Sequence, residues 1–124
     1  MTATALMAAA AAFNLICSGT GLTVVGTGPS AKTTSDDFTM VYRIDLDGRR
    51  YCMDKCESTS QLEAVTDTEL VFKYLNNSET LASFVKVNRE SGAYLSTIKI
   101  GSFTSMRSGT CVPAPFTGFP ARKF

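Results

Sequence analysis

The clearest pattern in the chain is Phe38–Cys56, FTMVYRIDLDGRRYCMDKC. Phe38, Met40, Tyr42, Ile44 and Leu46 occupy every second position. Thr39, Arg43, Asp45 and Asp47 fall between them, with Val41 the one apolar exception. A strand turns successive side chains to opposite faces, so this run predicts a strand with one apolar and one wet face. Asp47-Gly48 follows, a pair that tolerates the positive φ of a type I′ turn. The predicted hairpin pairs Leu46 with Arg49, Ile44 with Tyr51 and Tyr42 with Met53. Tyr51 and Met53 then join the apolar face, and Asp45 lies opposite Arg50 as a cross-strand ion pair. Cys52 falls on the face away from the core.

The same reasoning extends along the chain. Phe13–Thr20 and Leu22–Val25 read as a first strand with a bulge or bend at Gly19 or Gly21. Gly26–Asp37 reads as a loop, since Gly, Pro, Ser and Thr dominate it. Gln61–Val65 is a short strand with Leu62 and Ala64 on one face. Thr68–Leu75 is a longer one, with Leu70, Phe72 and Tyr74 alternating with Val71 and Lys73, and Asn76-Asn77-Ser78 is its terminal turn. Leu81–Val87 and Tyr94–Ile100 predict a second hairpin, whose loop Asn88–Gly92 suits a type I turn closed by a left-handed Gly92. Ser102–Met106 and Thr110–Val112 are short strands around Ser108-Gly109. No helical period appears after residue 12. The expected fold is all-β: an antiparallel meander of about seven or eight strands rolled into a small barrel, with a β-sandwich as the alternative. Residues 1–12 stand apart as an Ala-rich leader, 13–112 form the barrel, and 113–124 a Pro/Phe-rich strap.

The chain has 124 residues, which suits one domain. Its formal net charge is +1, and basic residues cluster only at Arg49-Arg50 and Arg122-Lys123. Nucleic acid is therefore not an expected partner, because binding it takes several phosphate contacts from one basic face. The chain has no His and no Trp. That removes the commonest general base, the Ser-His and Cys-His pairs and most zinc sites. Neither a cofactor nor a metal is expected. Chemistry would have to come from carboxylates alone, with Asp36/Asp37 or Asp67/Glu69 as starting points. Asp45-Leu46-Asp47-Gly48 resembles part of a calcium loop but lacks the other ligands. Asn76-Asn77-Ser78 fits a glycosylation acceptor.

Residues 1–12 carry no charge, and Ala10-Ala11-Ala12 fits the small-x-small rule for cleavage of an export signal. The expectation is a periplasmic or secreted protein; a retained Ala-rich helix is the alternative. The run is too short to span a bilayer. Four cysteines, Cys17, Cys52, Cys56 and Cys111, suggest two disulfides with three possible connectivities. A local Cys52–Cys56 bridge is geometrically easy. It leaves Cys17–Cys111, which would join the first strand to the last and seal a closed meander. In the tail PAPFTGFPARKF, three prolines preclude a central strand. Phe116, Phe119 and Phe124 either plug one end of the core or form an exposed aromatic contact.

The segments FNLICSGT, YRIDLDGRRYCMDKC, VNRESGAY and GTCVPAPFTGFPARKF together resemble small exported bacterial β-proteins of an alphaproteobacterial type. That resemblance implies periplasmic residence and disulfides, and brings no activity. Cys17, Ser91-Gly92-Ala93-Tyr94 and Cys111 also resemble the pattern of periplasmic C-type lysozyme inhibitors of the MliC kind, small β-barrels with a Ser-Gly inhibitory loop. That likeness implies partner contact through Ser91, Gly92 and Tyr94. The expected function is non-catalytic binding of an envelope component or protein. Lysozyme inhibition or a place in an extracellular assembly are the alternatives.

Overall fold

The computed structural model describes residues 11–78 and 81–121. The first ten residues of the expected leader, and Phe124, lie outside them. Nine strands form one antiparallel sheet: β1 (Ala12–Val25), β2 (Lys32–Asp45), β3 (Arg50–Met53), β4 (Ser60–Gln61), β5 (Ala64–Val65), β6 (Glu69–Ser78), β7 (Leu81–Asn88), β8 (Ala93–Ile100) and β9 (Phe103–Ala114). Their spatial order is β4-β3-β2-β1-β9-β8-β7-β6-β5. The sheet curls into a half-barrel. First and last strands pair along their length, with Cys17 opposite Cys111, and the two residues are disulfide-bonded. The seam falls in mid-chain instead. β4 and β5 are the two edges, yet only Leu62 and Glu63 separate them in sequence. The Leu62 N–H donates to the Arg49 carbonyl at 2.8 Å, and the Glu63 N–H to the Val71 carbonyl at 2.9 Å. This short strip thus ties β3 to β6 across one end of the seam.

Alternation dictates what fills the curl. Leu15 and Cys17, Tyr42 and Ile44, Leu70 and Phe72, Val87 and Tyr94 are all buried on the concave face. The Tyr42 ring stacks on Phe72 at 4.5 Å, and Tyr51 meets Phe72 edge-on at 4.9 Å, so β2 and β3 pack against β6 across the seam. One concave row runs Phe38, Gly19, Gly109, Tyr94 across β2, β1, β9 and β8. Three strand spacings would separate the outer two by roughly 14 Å in a flat sheet. Their rings lie 5.5 Å apart. The two rings meet over the pair of glycines, where the row has no side chain.

Several local expectations are corrected. Gly19 and Gly21 carry no bulge: β1 is continuous and in register with both neighbours. Gly109 does not divide the last strand either, since it pairs with Gly19 inside β9. Lys32–Asp37 is strand, paired with Thr20–Val25, and only a short 3₁₀ turn at Gly28–Ser30 interrupts the connection. The segment is polar because it projects beyond the core, where both faces meet water. The 45–50 hairpin keeps its predicted register, Asp45 opposite Arg50 and Tyr42 opposite Met53. Its turn is not type I′, because the left-handed residue is Arg49 (φ 53°) rather than Asp47 or Gly48. The Asp45 carboxylate holds this turn by accepting from the Gly48 N–H at 3.2 Å. Asp45 and Arg50 form no ion pair among the described residues; the Arg50 guanidinium sits 4.8 Å from the Phe119 ring centre instead. In β6 a bulge at Phe72 shifts the register, so Tyr74 turns outward and is 62% exposed. Asn76–Ser78 prolong β6, with Ser78 opposite Leu81, and are not a turn. Gln61 and Ala64–Val65 belong to two different strands at opposite edges. Leu62, between them, is buried as expected.

Candidate functional site

The turn between β7 and β8 is built by its own side chains. The Asn88 carboxamide oxygen accepts from the Glu90 and Ser91 N–H groups, both at 2.9 Å. The Gly92 N–H donates to the Asn88 carbonyl at 2.8 Å, with φ +78° at Gly92. This is the left-handed closure that the Asn-Arg-Glu-Ser-Gly run predicts. The Gly92 carbonyl then accepts from the Cys111 N–H at 2.7 Å. A Cβ on Gly92 would lie 2.6 Å from the Cys111 carbonyl oxygen, so only glycine allows the turn to dock there.

Docked in this way, the turn walls a pocket of about 480 Å³ at the mouth of the half-barrel. Phe13, Leu15, Leu70, Val87 and Pro113 line its apolar floor and sides. Arg89, Glu90 and Ser91 form an exposed polar rim. Apolar walls with a few polar groups at the rim suit a site that receives an apolar group and orients it. Of the expected contact residues, Ser91 and Gly92 belong to this pocket. Tyr94 does not. It lies on the concave face, 3% exposed, with its hydroxyl 2.7 Å from that of Tyr42. Parity places it there: it pairs with Gly109 and stands one row from Cys111.

The buried phenols make stability depend on alkaline pH. Burial first, then the Tyr94 hydroxyl beside it, pushes the Tyr42 phenol far above its ordinary range. Burial followed by the Glu63 charge raises Tyr51 as well. In the unfolded chain a tyrosine ionises near pH 10. Below that pH both states keep the proton and full stability is present. Above it the unfolded chain loses the proton first, and stability falls by about 1.4 kcal/mol per pH unit for Tyr42, with Tyr51 acting in the same direction. The denaturant midpoint should therefore be flat up to about pH 9.5 and fall above pH 10. The slope should be shallower in Tyr42→Phe. A Tyr42→Phe midpoint that drops as steeply as the wild type's would count against this cause.

The strap neither plugs the core nor stands free. It crosses the outer face of β1–β3. Asn14, 5% exposed, donates to the Thr117 hydroxyl at 3.0 Å and accepts from the Thr117 N–H at 3.3 Å. Arg43 donates to the Gly118 carbonyl at 3.1 Å. Phe116 and Phe119 are half-buried and meet edge-to-face at 5.2 Å. Cys52 is on this outer face, as alternation requires, yet it is buried with its disulfide partner Cys56.

The Asp36/Asp37 pair does not converge. Asp36 and Asp37 are neighbours on one strand and point to opposite faces. Glu69 pairs with Lys86 at 3.5 Å on the surface. Sequence reasoning missed Phe13, Leu70 and Pro113 as walls of one pocket. Only the pairing of β1 with β9 and the curl of β6 bring them together, and no local pattern encodes either. Together these features define the class: a disulfide-stapled antiparallel half-barrel with an apolar pocket at its mouth. Compared with family models, curated proteins and solved structures, the chain matches none. Among the described residues no helix is long and apolar enough to cross a membrane.

Proposed function

We propose that this protein is an exported, non-catalytic binding module that takes an apolar group of an envelope component or partner protein into the pocket beside the 88–92 turn. The pocket carries the proposal, because its walls are apolar and its rim polar. Two disulfides support an oxidising compartment outside the cytosol. The test is site-directed photocrosslinking in the native envelope. A photoreactive phenylalanine analogue at Ser91 should give a discrete adduct, and the same group at Thr110 on the outer face should not. Matching adducts at both positions, or none at Ser91, would sink the proposal. Lysozyme inhibition is its narrower form, favoured by the exposure of Ser91 at the turn's tip. Unchanged turnover of a C-type lysozyme at saturating protein would remove it.

A further inference from the structure

β2 is paired on only one side for most of its length. β1 follows it from Lys32 to Asp45, but β3 reaches only Tyr42–Asp45. The departure of β3 is built in. The Asp54 carboxylate accepts from the Val41 N–H at 3.3 Å, and the Asp54 N–H donates to the Val41 carbonyl at 2.7 Å. Asp54 and Cys56 are both left-handed, at φ 52° and 56°, and the Cys52–Cys56 bridge holds this tight turn. Non-glycine residues in that region cost about 1 kcal/mol or more each, so the turn away from β2 is maintained against its own backbone preference. Val41 directs both backbone groups outward, and an antiparallel ladder alternates. Thr39, Asp37, Ser35 and Thr33 therefore present N–H and C=O outward too, with no backbone partner among the described residues.

The opposite edge differs. β6 is broken by register shifts at Val71/Lys73 and Asn76/Ser78, which blunt an edge against further pairing. The pairing of β2 with β1 runs without a shift. Charge then selects the occupant. Asp36 and Asp37 have no ion-pair partner among the described residues. A two-fold pairing of two copies that used all of Lys32–Met40 would be centred on Asp36, setting it against its own copy with Asp37 close by. Like charges directly opposite are destabilising. We infer that this edge receives an extended, basic segment of a partner protein as an added strand. A Lys or Arg would stand opposite Asp37 on the outer face, and an adjacent one opposite Asp36 on the concave face. The inference is independent of the pocket.

The probe is an acetylated, amidated decapeptide of Thr and Val with Lys-Lys at its centre, compared with its Glu-Glu counterpart. With the basic peptide, amide exchange at Thr33, Ser35, Asp37 and Thr39 should slow, and the acidic peptide should bind at least roughly tenfold more weakly. Ser35→Pro removes one outward donor at a position where an edge strand tolerates proline, and should abolish binding. The double variant D36K/D37K keeps the backbone, should reverse the peptide preference, and decides the matter if Ser35→Pro does not fold. Equal binding of both peptides, unchanged exchange at those four amides, or undiminished binding by a folded Ser35→Pro would each overturn the inference. Protection that rises with protein concentration alone would overturn it in favour of self-association.

Discussion

Replacing Cys17 and Cys111 together by Ala should lower the unfolding free energy by about 4–5 kcal/mol, as the entropy of closing so long a loop implies. The bridge spans a sequence separation of 94 and ties the two long strands at a pair that already faces itself in register. A domain of this kind has roughly 5–15 kcal/mol of net stability, so the variant would sit near the threshold of folding. The Cys52–Cys56 bridge joins residues only 4 apart, and the same entropy argument gives it about 2 kcal/mol. Its work is local: it holds the turn by which β3 leaves β2. Urea unfolding of the two double-Ala variants separates these roles. The Cys17/Cys111 variant should show a far lower midpoint and, because its unfolded chain is less compact, a steeper denaturant slope. Equal losses in both variants would mean that loop length is not what matters here.

That bridge was also the most legible feature of the chain. An even cysteine count and an easy local C-x₃-C bridge leave Cys17–Cys111 as the remaining pair, joining first strand to last, and the structure forms it. Strand identity and hairpin register were legible around the 45–50 and 88–92 turns, where one face is buried. Tyr42, Ile44 and Tyr51, and Val87 and Tyr94, sit as alternation demands. Legibility failed where that asymmetry is absent. Lys32–Asp37 is wet on both sides, so a paired strand carried the composition of a loop. It failed again at Tyr74, where one extra residue at Phe72 reverses the side chains from Lys73 to Asn76, up to the next register shift. The strap was misplaced for a different reason. Its destination on the outer face depends on two distant polar residues: Asn14, 103 positions from Thr117, and Arg43, 75 positions from Gly118. The pocket and the open edge share this property. Both arise from where strands stop, and a stop is set by tertiary geometry more than by local composition.

Gly109→Ala should be the most damaging single methyl addition in the sheet, with a loss above about 3 kcal/mol or no folding at all. Two explanations compete for the Gly19–Gly109 pair: room for the Phe38 and Tyr94 rings, or close approach of the two backbones. The distances decide between them. A Cβ on Gly109 would lie 1.9 Å from the Ser18 carbonyl oxygen and 2.8 Å from the Gly19 Cα. A Cβ on Gly19 would lie 2.0 Å from the Ser108 carbonyl oxygen. These are backbone atoms of the paired strand and cannot rotate aside, so β1 and β9 would have to part beside the disulfide. Gly101 supplies the control. Its φ is +59° but nothing lies within 4 Å of an added Cβ, so Gly101→Ala should cost only the left-handed penalty of about 1–2 kcal/mol. A second cycle isolates the cause. If the rings were the obstacle, Phe38→Ala would make room and Gly109→Ala would cost little in that background. With backbone as the obstacle, its cost should persist undiminished in Phe38→Ala, measured by chemical denaturation of all four proteins. Recovery in the double variant would show that the glycines make room for the rings; persistence would show that they let β1 and β9 approach closely.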